Sequence, residues 1–491
     1  MKKIIFLLFI VTKSFSQAGT FDTTFDTDGK QTYCLTPLAD FLPTNAGLQS
    51  TGKIVQFGYY NDYHNKILIR YNTDGSVDSG FGSNGTQTFT ANSFFQSQGY
   101  IRDFAIQSDD KIVVVGEDSV VGNFVIRLLP DGNLDTSFNG VGYMSFDFGS
   151  NNAYMYNIIV QPDGKILVCG CYGNGLQTIR PYFAVARITN SGALDATFGN
   201  GGKVLTDFSA NGSTAYSMTT QPDGKIVVGG ITKNATTQAN NFALVRFNSN
   251  GTVDTTFGTD GKVITSDIIA SYNGITKLLL QPDGKIVAGG LSIGMTMARY
   301  LPNGALDPTF GTNGIVATNE SSYKCSIAMQ ADGKFILAGG SNSFKVFRYT
   351  ATGVLDTSFA NNANVFLGTE GEATTVLIQN DQKIIVCGNT YNLATLLGCA
   401  AVIRLNNDVL GTEGFATNEV GVFPNPVQDE LTISNEETMQ YELFTILGAK
   451  IQAGSLAVHG QVDCSSLAKG LYLLKLNKDN GESKVVKVVK D

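Results

Sequence analysis

The chain has 491 residues, 43% of them hydrophobic and only 15% charged, with 55 glycines and no tryptophan. Its net charge is −8, and no run of Lys or Arg in the repeats supplies the clustered positive surface that phosphate binding needs, which argues against a nucleic-acid partner. Many glycines beside few charges suit short strands joined by tight turns better than helices.

The first residues have the form of a secretory signal peptide, residues 1–16. Lys2 and Lys3 supply the charged start, Ile4 to Val11 the short apolar run, and Ser14-Phe15-Ser16 the small residues before a cut between Ser16 and Gln17. That run is too short to span a bilayer, and no other segment approaches the roughly 20 apolar residues of a transmembrane helix. Export without a transmembrane segment is the expectation.

Residues 17–405 are dominated by one recurring phrase. It reads Gln161-Pro-Asp-Gly-Lys165, Gln221-Pro-Asp-Gly-Lys225 and Gln281-Pro-Asp-Gly-Lys285, with weaker copies at Gln49, Gln107, Gln330 and Gln379. Pro presets φ for the first turn position, Asp bonds locally and Gly accepts positive φ, so each copy predicts a hairpin turn. A second phrase, Leu-Asp-x-x-Phe, crosses between units and recurs from Val77-Asp-Ser-Gly-Phe81 to Leu355-Asp-Thr-Ser-Phe359. Its first copy, Phe21-Asp-Thr-Thr-Phe25, precedes every hairpin, and no copy follows the last hairpin. The spacing predicts four strands per unit. The split phrase predicts an all-β, seven-bladed β-propeller closed by an N-terminal strand near Lys30-Gln-Thr-Tyr33.

Two cations recur in each unit: an Arg ending the strand before the crossing phrase (Arg70 to Arg404) and a Lys after the hairpin turn (Lys53 to Lys383). Sevenfold repetition predicts that each Arg pairs with the Asp of a crossing phrase or of a hairpin turn, the alternative being a ring of cations on one face. The pattern breaks between the strand after the hairpin and the strand ending in that Arg. Those segments carry Tyr59, Tyr60, Tyr63, His64, Tyr172, Tyr182 and Tyr391 among amides and threonines, a composition suited to a carbohydrate. Seven scattered cysteines do not form a disulfide framework. Cys169 and Cys387, at equivalent positions, are expected as buried filler, and Cys387 and Cys399 could meet across a hairpin.

No catalytic or cofactor signature appears. His64 and His459 are the sole histidines, no Gly-x-Ser-x-Gly elbow or metal-spaced His/Glu pair is present, and no regular calcium loop occurs. The expected function is a non-catalytic binding or adhesion module for a glycan or surface partner. The alternative is a polysaccharide-active enzyme with carboxylates at the propeller channel.

A polar connector, residues 406–418, precedes a segment of different character, residues 419–491. Its short strands at close spacing indicate a small Ig-like β-sandwich. Pro424-Asn425-Pro426, the Leu-Gly turn at Gly448, the Leu-x-x-Gly-x-Tyr phrase ending in Gly470 and Tyr472, and a basic last strand with Lys484, Lys487 and Lys490 follow in order. Together they resemble the C-terminal sorting domain of type IX secretion cargo from Bacteroidetes. The resemblance implies the type IX machinery as a partner, and a protein secreted or held at the outer cell surface. The recurring phrases of residues 21–405 resemble the delta-60 repeat of bacterial secreted proteins, which implies architecture but no reaction.

Overall fold

The computed structural model describes residues 18–35, 40–60, 65–89, 99–118, 120–149, 153–173, 182–208, 212–234, 236–237, 239–270, 274–292, 294–341, 343–360, 371–392, 397–407, 421–434, 438–445, 450–477 and 483–490. The proposed signal peptide with its cut at Ser16 and Gln17, most of the connector, and Tyr63, His64 and Gly448 fall outside these residues. The chain divides into two compact units after Asn407.

In the first unit the described strands form seven antiparallel sheets, six of four strands and one of three. The third sheet is representative, with Ala153–Val160, Ile166–Tyr172, Tyr182–Ile188 and Lys203–Asp207 pairing in sequence order. Its hairpin turn closes through Gln161 N–H to Lys165 O at 2.8 Å and Lys165 N–H to the Asp163 carboxylate at 3.1 Å, with Gly164 at φ +81°. The two middle strands are buried on both faces and so read as continuous apolar runs. Each sheet packs on the next: Val113, Val115 and Val125 of the second share a cluster with Met155, Ile158 and Val168 of the third.

The innermost strands contact one another in series from Phe41–Leu48 through Tyr100–Ile106 and onward, and Gly371–Ile378 contacts Phe41–Leu48 again. Lys30–Tyr33 joins the last sheet by pairing with Leu397–Leu405, Lys30 opposite Ile403 and Tyr33 opposite Ala400. That register places Cys34 beside Cys399, and these two form the disulfide. The expected Cys387–Cys399 pairing is therefore corrected. Cys387 lies opposite Val402 and Cys399 opposite Thr390, three positions out of register, and Cys387 is a buried free thiol. Cys169 is likewise buried and free.

Six of the seven innermost strands carry a β-bulge at the same place, for example between Met155 and Asn157. The extra residue breaks strict alternation: along Ala153–Val160 two consecutive positions, Tyr156 and Asn157, face away from the core between buried Met155 and Ile158. A glycine also recurs nine residues after each hairpin glutamine, opposite the inner strand. A Cβ on Gly170 would stand 1.8 Å from the Tyr154 carbonyl oxygen, and one on Gly230 1.9 Å from that of Thr214. Close backbone approach, not a turn, requires Gly there.

The second unit holds two sheets. One comprises Gly421–Phe423, Glu430–Ser434 and Gln461–Asp463; the other comprises Lys450–Leu456, Met439–Thr445, Gly470–Asn477 and Ser483–Lys490, in that order. Leu431, Ile433, Leu443, Leu474 and Val488 fill the core between them. The Pro424-Asn425-Pro426 phrase, with both X–Pro bonds cis, is tied to the last strand. Asn425 donates to Lys487 O at 2.6 Å and accepts from Val489 N–H at 2.8 Å. Tyr472 donates to Ala468 O, Lys487 is exposed, and Lys490 donates to Gln428 O.

Candidate functional site

The hairpin-turn end of the first unit is consumed by its own structure. In every unit the recurring Arg donates from Nε to the crossing-phrase Asp at 2.6–2.9 Å. Its guanidinium also lies 4.5–4.8 Å from the ring centre of the buried crossing Phe. The recurring Lys reaches the same carboxylate. In the last sheet the partners of Arg404 and Lys383 are Asp22, with Phe25, of the N-terminal segment. Burial raises the pKa of these aspartates, but hydrogen bonds from Ser, Thr and Lys and the adjacent Arg charge outweigh it, holding Asp22 and Asp135 down to about 2. The repeated cations are spent on the fold.

The tyrosines expected to form a ligand surface lie on strands, and they separate. Tyr59 is 4% exposed, packs edge-on against Phe57 at 5.5 Å and donates to Ile101 O, so it is a core residue and not a loop contact. Strand alternation at the end of Ile54–Tyr60 turns it inward. Tyr60 is half-buried against the cluster shared by the first and last sheets. Tyr172 and Tyr182 face each other across their strands with ring centres 6.1 Å apart, the sole ring pair among the described candidates. Tyr391, half-buried, stands opposite Gly398 in the last sheet.

A different set comes together on the innermost strands. Five residues before each hairpin glutamine stand Thr44, Arg102, Tyr156, Tyr216, Thr276, Cys325 and Thr374, all but Cys325 at the bulge. Thr44, Thr276 and Thr374 bond to nearby backbone carbonyls. Arg102, Tyr156 and Tyr216, on three successive inner strands, instead form a continuous strip. Arg102 lies 5.1 Å from the ring centre of exposed Tyr100 and 5.5 Å from that of Tyr156; Tyr156 and Tyr216 are 5.1 Å apart. Glu117, opposite Tyr100 on the neighbouring strand, takes Arg102 Nε at 2.8 and 3.0 Å and also Nη2. Burial holds the Glu117 pKa up although Arg102 pulls against it.

One residue further along, six of the seven strands carry a small polar side chain, Lys277 being the exception, and these form a belt between units. Asn157 donates to Asp103 at 2.7 Å and accepts from Met218 N–H at 3.0 Å; Ser217 accepts from Leu278 N–H, and Thr375 donates to Asn45. Asn45 and Ile158 N–H complete the shell of Asp103. Burial pushes the Asp103 pKa up, opposed by Asn45 and by the Lys277 charge. Sequence reading missed this site, whose signal is a column comparison of the repeats: Thr recurs where Arg, Tyr and Tyr intrude.

Six segments, residues 49–81, 107–138, 161–198, 221–257, 281–310 and 330–359, match the family described as domain of unknown function (DUF5122) β-propeller. Each runs from a hairpin glutamine to a crossing phenylalanine. The hairpin at Gln379 lies outside these six segments, and Arg404, which follows it, donates to Asp22 of the Phe21–Phe25 phrase. Residues 421–491 match the secretion system C-terminal sorting domain. The chain thus carries β-propeller repeats of that family. It also carries a type IX sorting tail, which directs export to the cell surface or beyond.

No curated protein matches the chain. Among solved structures it is similar to Drosophila Semaphorin 1a extracellular domains 1-2 (8% identity, 76% of this chain and 87% of that one, TM-score 0.42). It is also similar to polysaccharide lyase Uly1 (10%, 74% and 89%, 0.43) and to the β-propeller domain of the Trilobed protease from Pyrococcus furiosus (9%, 75% and 94%, 0.40). Likeness this remote transfers no function. Among the described residues no helix is long and apolar enough to cross a membrane.

Proposed function

We propose that this exported chain is a closed seven-bladed propeller acting as a binding module, not an enzyme, for a glycan or a cell-surface partner. Its site is the Tyr100–Arg102–Tyr156–Tyr216 strip on the inner strands, at the bulge end away from the hairpin turns. One observation carries the reading: the charged and aromatic departures from the repeated Thr fall on three adjoining inner strands, the remaining departure being the small, buried Cys325. Repetition serves the scaffold, whereas a site needs residues that differ. Closure is supported by the pairing of Lys30–Tyr33 with Leu397–Leu405 and by the Asp22–Arg404 ion pair.

The enzyme alternative needs free carboxylates at the channel. Against it, Asp103 is held by Asn45, Asn157 and the Ile158 amide, and Glu117 is held by Arg102. The test is a screen of the full chain against glycans and polysaccharides, each bound polymer being checked for cleavage. Saturable binding that Tyr156→Leu with Tyr216→Leu abolishes, at unchanged melting temperature, is expected. Binding indifferent to both substitutions removes the site, and products would favour the enzyme.

A further inference from the structure

The charges at this site are unequally exposed. Among the described residues, the positions four and five before the hairpin glutamines hold three charged side chains, Arg102, Asp103 and Lys277. Asp103 is 5% exposed with both oxygens engaged, and Glu117, behind Arg102, is 8% exposed. The cations stand forward: the Arg102 side chain is 32% exposed, and Lys277 is exposed on its inner strand. Arg102 Nη1 has no hydrogen-bond partner among the described residues, since Glu117 takes only Nε and Nη2. Nearer the strand starts, Glu372 is half-buried, and burial pushes its carboxyl pKa up against the charge of Lys324. A chain of net charge −8 therefore presents cations on this inner wall and keeps the neutralising carboxylates beneath it.

Resting on the binding reading above, we propose that the site takes an anionic polysaccharide, whose sugar units carry a carboxylate or a sulfate. Arg102 Nη1 and Lys277 Nζ engage the anionic groups, and the exposed edges of Tyr100, Tyr156 and Tyr216 meet the apolar faces of the sugar rings. A guanidinium with one edge already fixed by Glu117 is oriented before the ligand arrives, which lowers the entropy lost on binding.

The experiment titrates the full chain with polygalacturonate, dextran sulfate and neutral laminarin by calorimetry. At least one anionic polymer should bind, more weakly as salt rises, with laminarin far weaker. Lys277→Gln, an exposed change, should weaken binding about tenfold, as loss of one charge-assisted contact does. The double variant Arg102→Gln/Glu117→Gln, which leaves no buried charge unpaired, should do the same. Preference for polygalacturonate identifies the carboxylate as the recognised group, and preference for dextran sulfate the sulfate. Laminarin binding as tightly as the anionic polymers, or anionic binding unmoved by both variants, overturns this inference and leaves the binding reading standing. Silence from all three polymers, and from the wider glycan screen, removes both.

Discussion

Replacing Asp22 with Ala tests whether the N-terminal segment is a working part of the last sheet. Asp22 accepts from Arg404 Nε at 2.6 Å, Thr24 N–H at 3.1 Å and Thr24 Oγ1 at 2.8 Å, and it also binds Lys383. Asp195, in mid-chain, accepts an equivalent set: Arg187 Nε at 2.8 Å, Thr197 N–H at 3.1 Å, Thr197 Oγ1 at 2.6 Å and Lys165 at 3.3 Å. The Arg404 and Arg187 side chains are 8% and 7% exposed, so either truncation strands a buried guanidinium. Removing one partner of such a pair costs about 3–5 kcal/mol. With a urea slope of about 3 kcal/mol per molar, that moves the midpoint by about 1–1.7 M. Unfolding is followed by far-UV circular dichroism and by the fluorescence of the 19 tyrosines, there being no tryptophan. Asp22→Ala and Asp195→Ala should lower the midpoint alike. A normal midpoint for Asp22→Ala beside a depressed one for Asp195→Ala would refute the closure argument.

Three further outcomes are expected. Asp22 and Asp135, depressed to about 2 when folded, contribute stability that is complete above the ordinary carboxylate pKa and lost as pH falls through the folded value. The urea midpoint should therefore fall between about pH 4 and pH 2 through these groups, and less steeply in Asp135→Asn. Gly170→Ala drives a Cβ into the Tyr154 carbonyl and should destabilise by about 1–3 kcal/mol, read from the same titration; an unchanged midpoint would show that the bulge yields. Cys34→Ser with Cys399→Ser should lower stability by about 2–5 kcal/mol and abolish the response to reductant, since the bond bridges 365 residues, whereas Cys387→Ala, which keeps that bond, should respond to reductant as the parent does.

The strands and turns were legible because Gln-Pro-Asp-Gly-Lys sets turn geometry locally and the buried middle strands are uninterrupted apolar runs. Repetition foretold the Arg–Asp pairs without choosing between the crossing phrase and the hairpin turn, and the crossing phrase supplies the Asp in every case. What failed depended on register or side-chain direction. Cys399 finds Cys34 only because Tyr33 sits opposite Ala400, a pairing no local pattern specifies. Tyr59 reads as a loop aromatic until strand alternation turns it inward. The Arg102 strip stayed hidden because a bulge gives two adjacent residues one direction, whereas a period-two reading assigns them opposite faces.

The bond between Asp22 and Arg404 has a temporal meaning. Its partners are 382 residues apart, so this contact waits until nearly the whole of that unit is available. Until then the strand Leu397–Leu405 lacks Lys30–Tyr33 along one side and leaves a row of unpaired backbone groups. For an exported chain that interval is a window of vulnerability to proteases and to pairing with other strands. The disulfide between Cys34 and Cys399 lies at the same seam, so oxidation after the strands meet turns a slow encounter into a permanent latch.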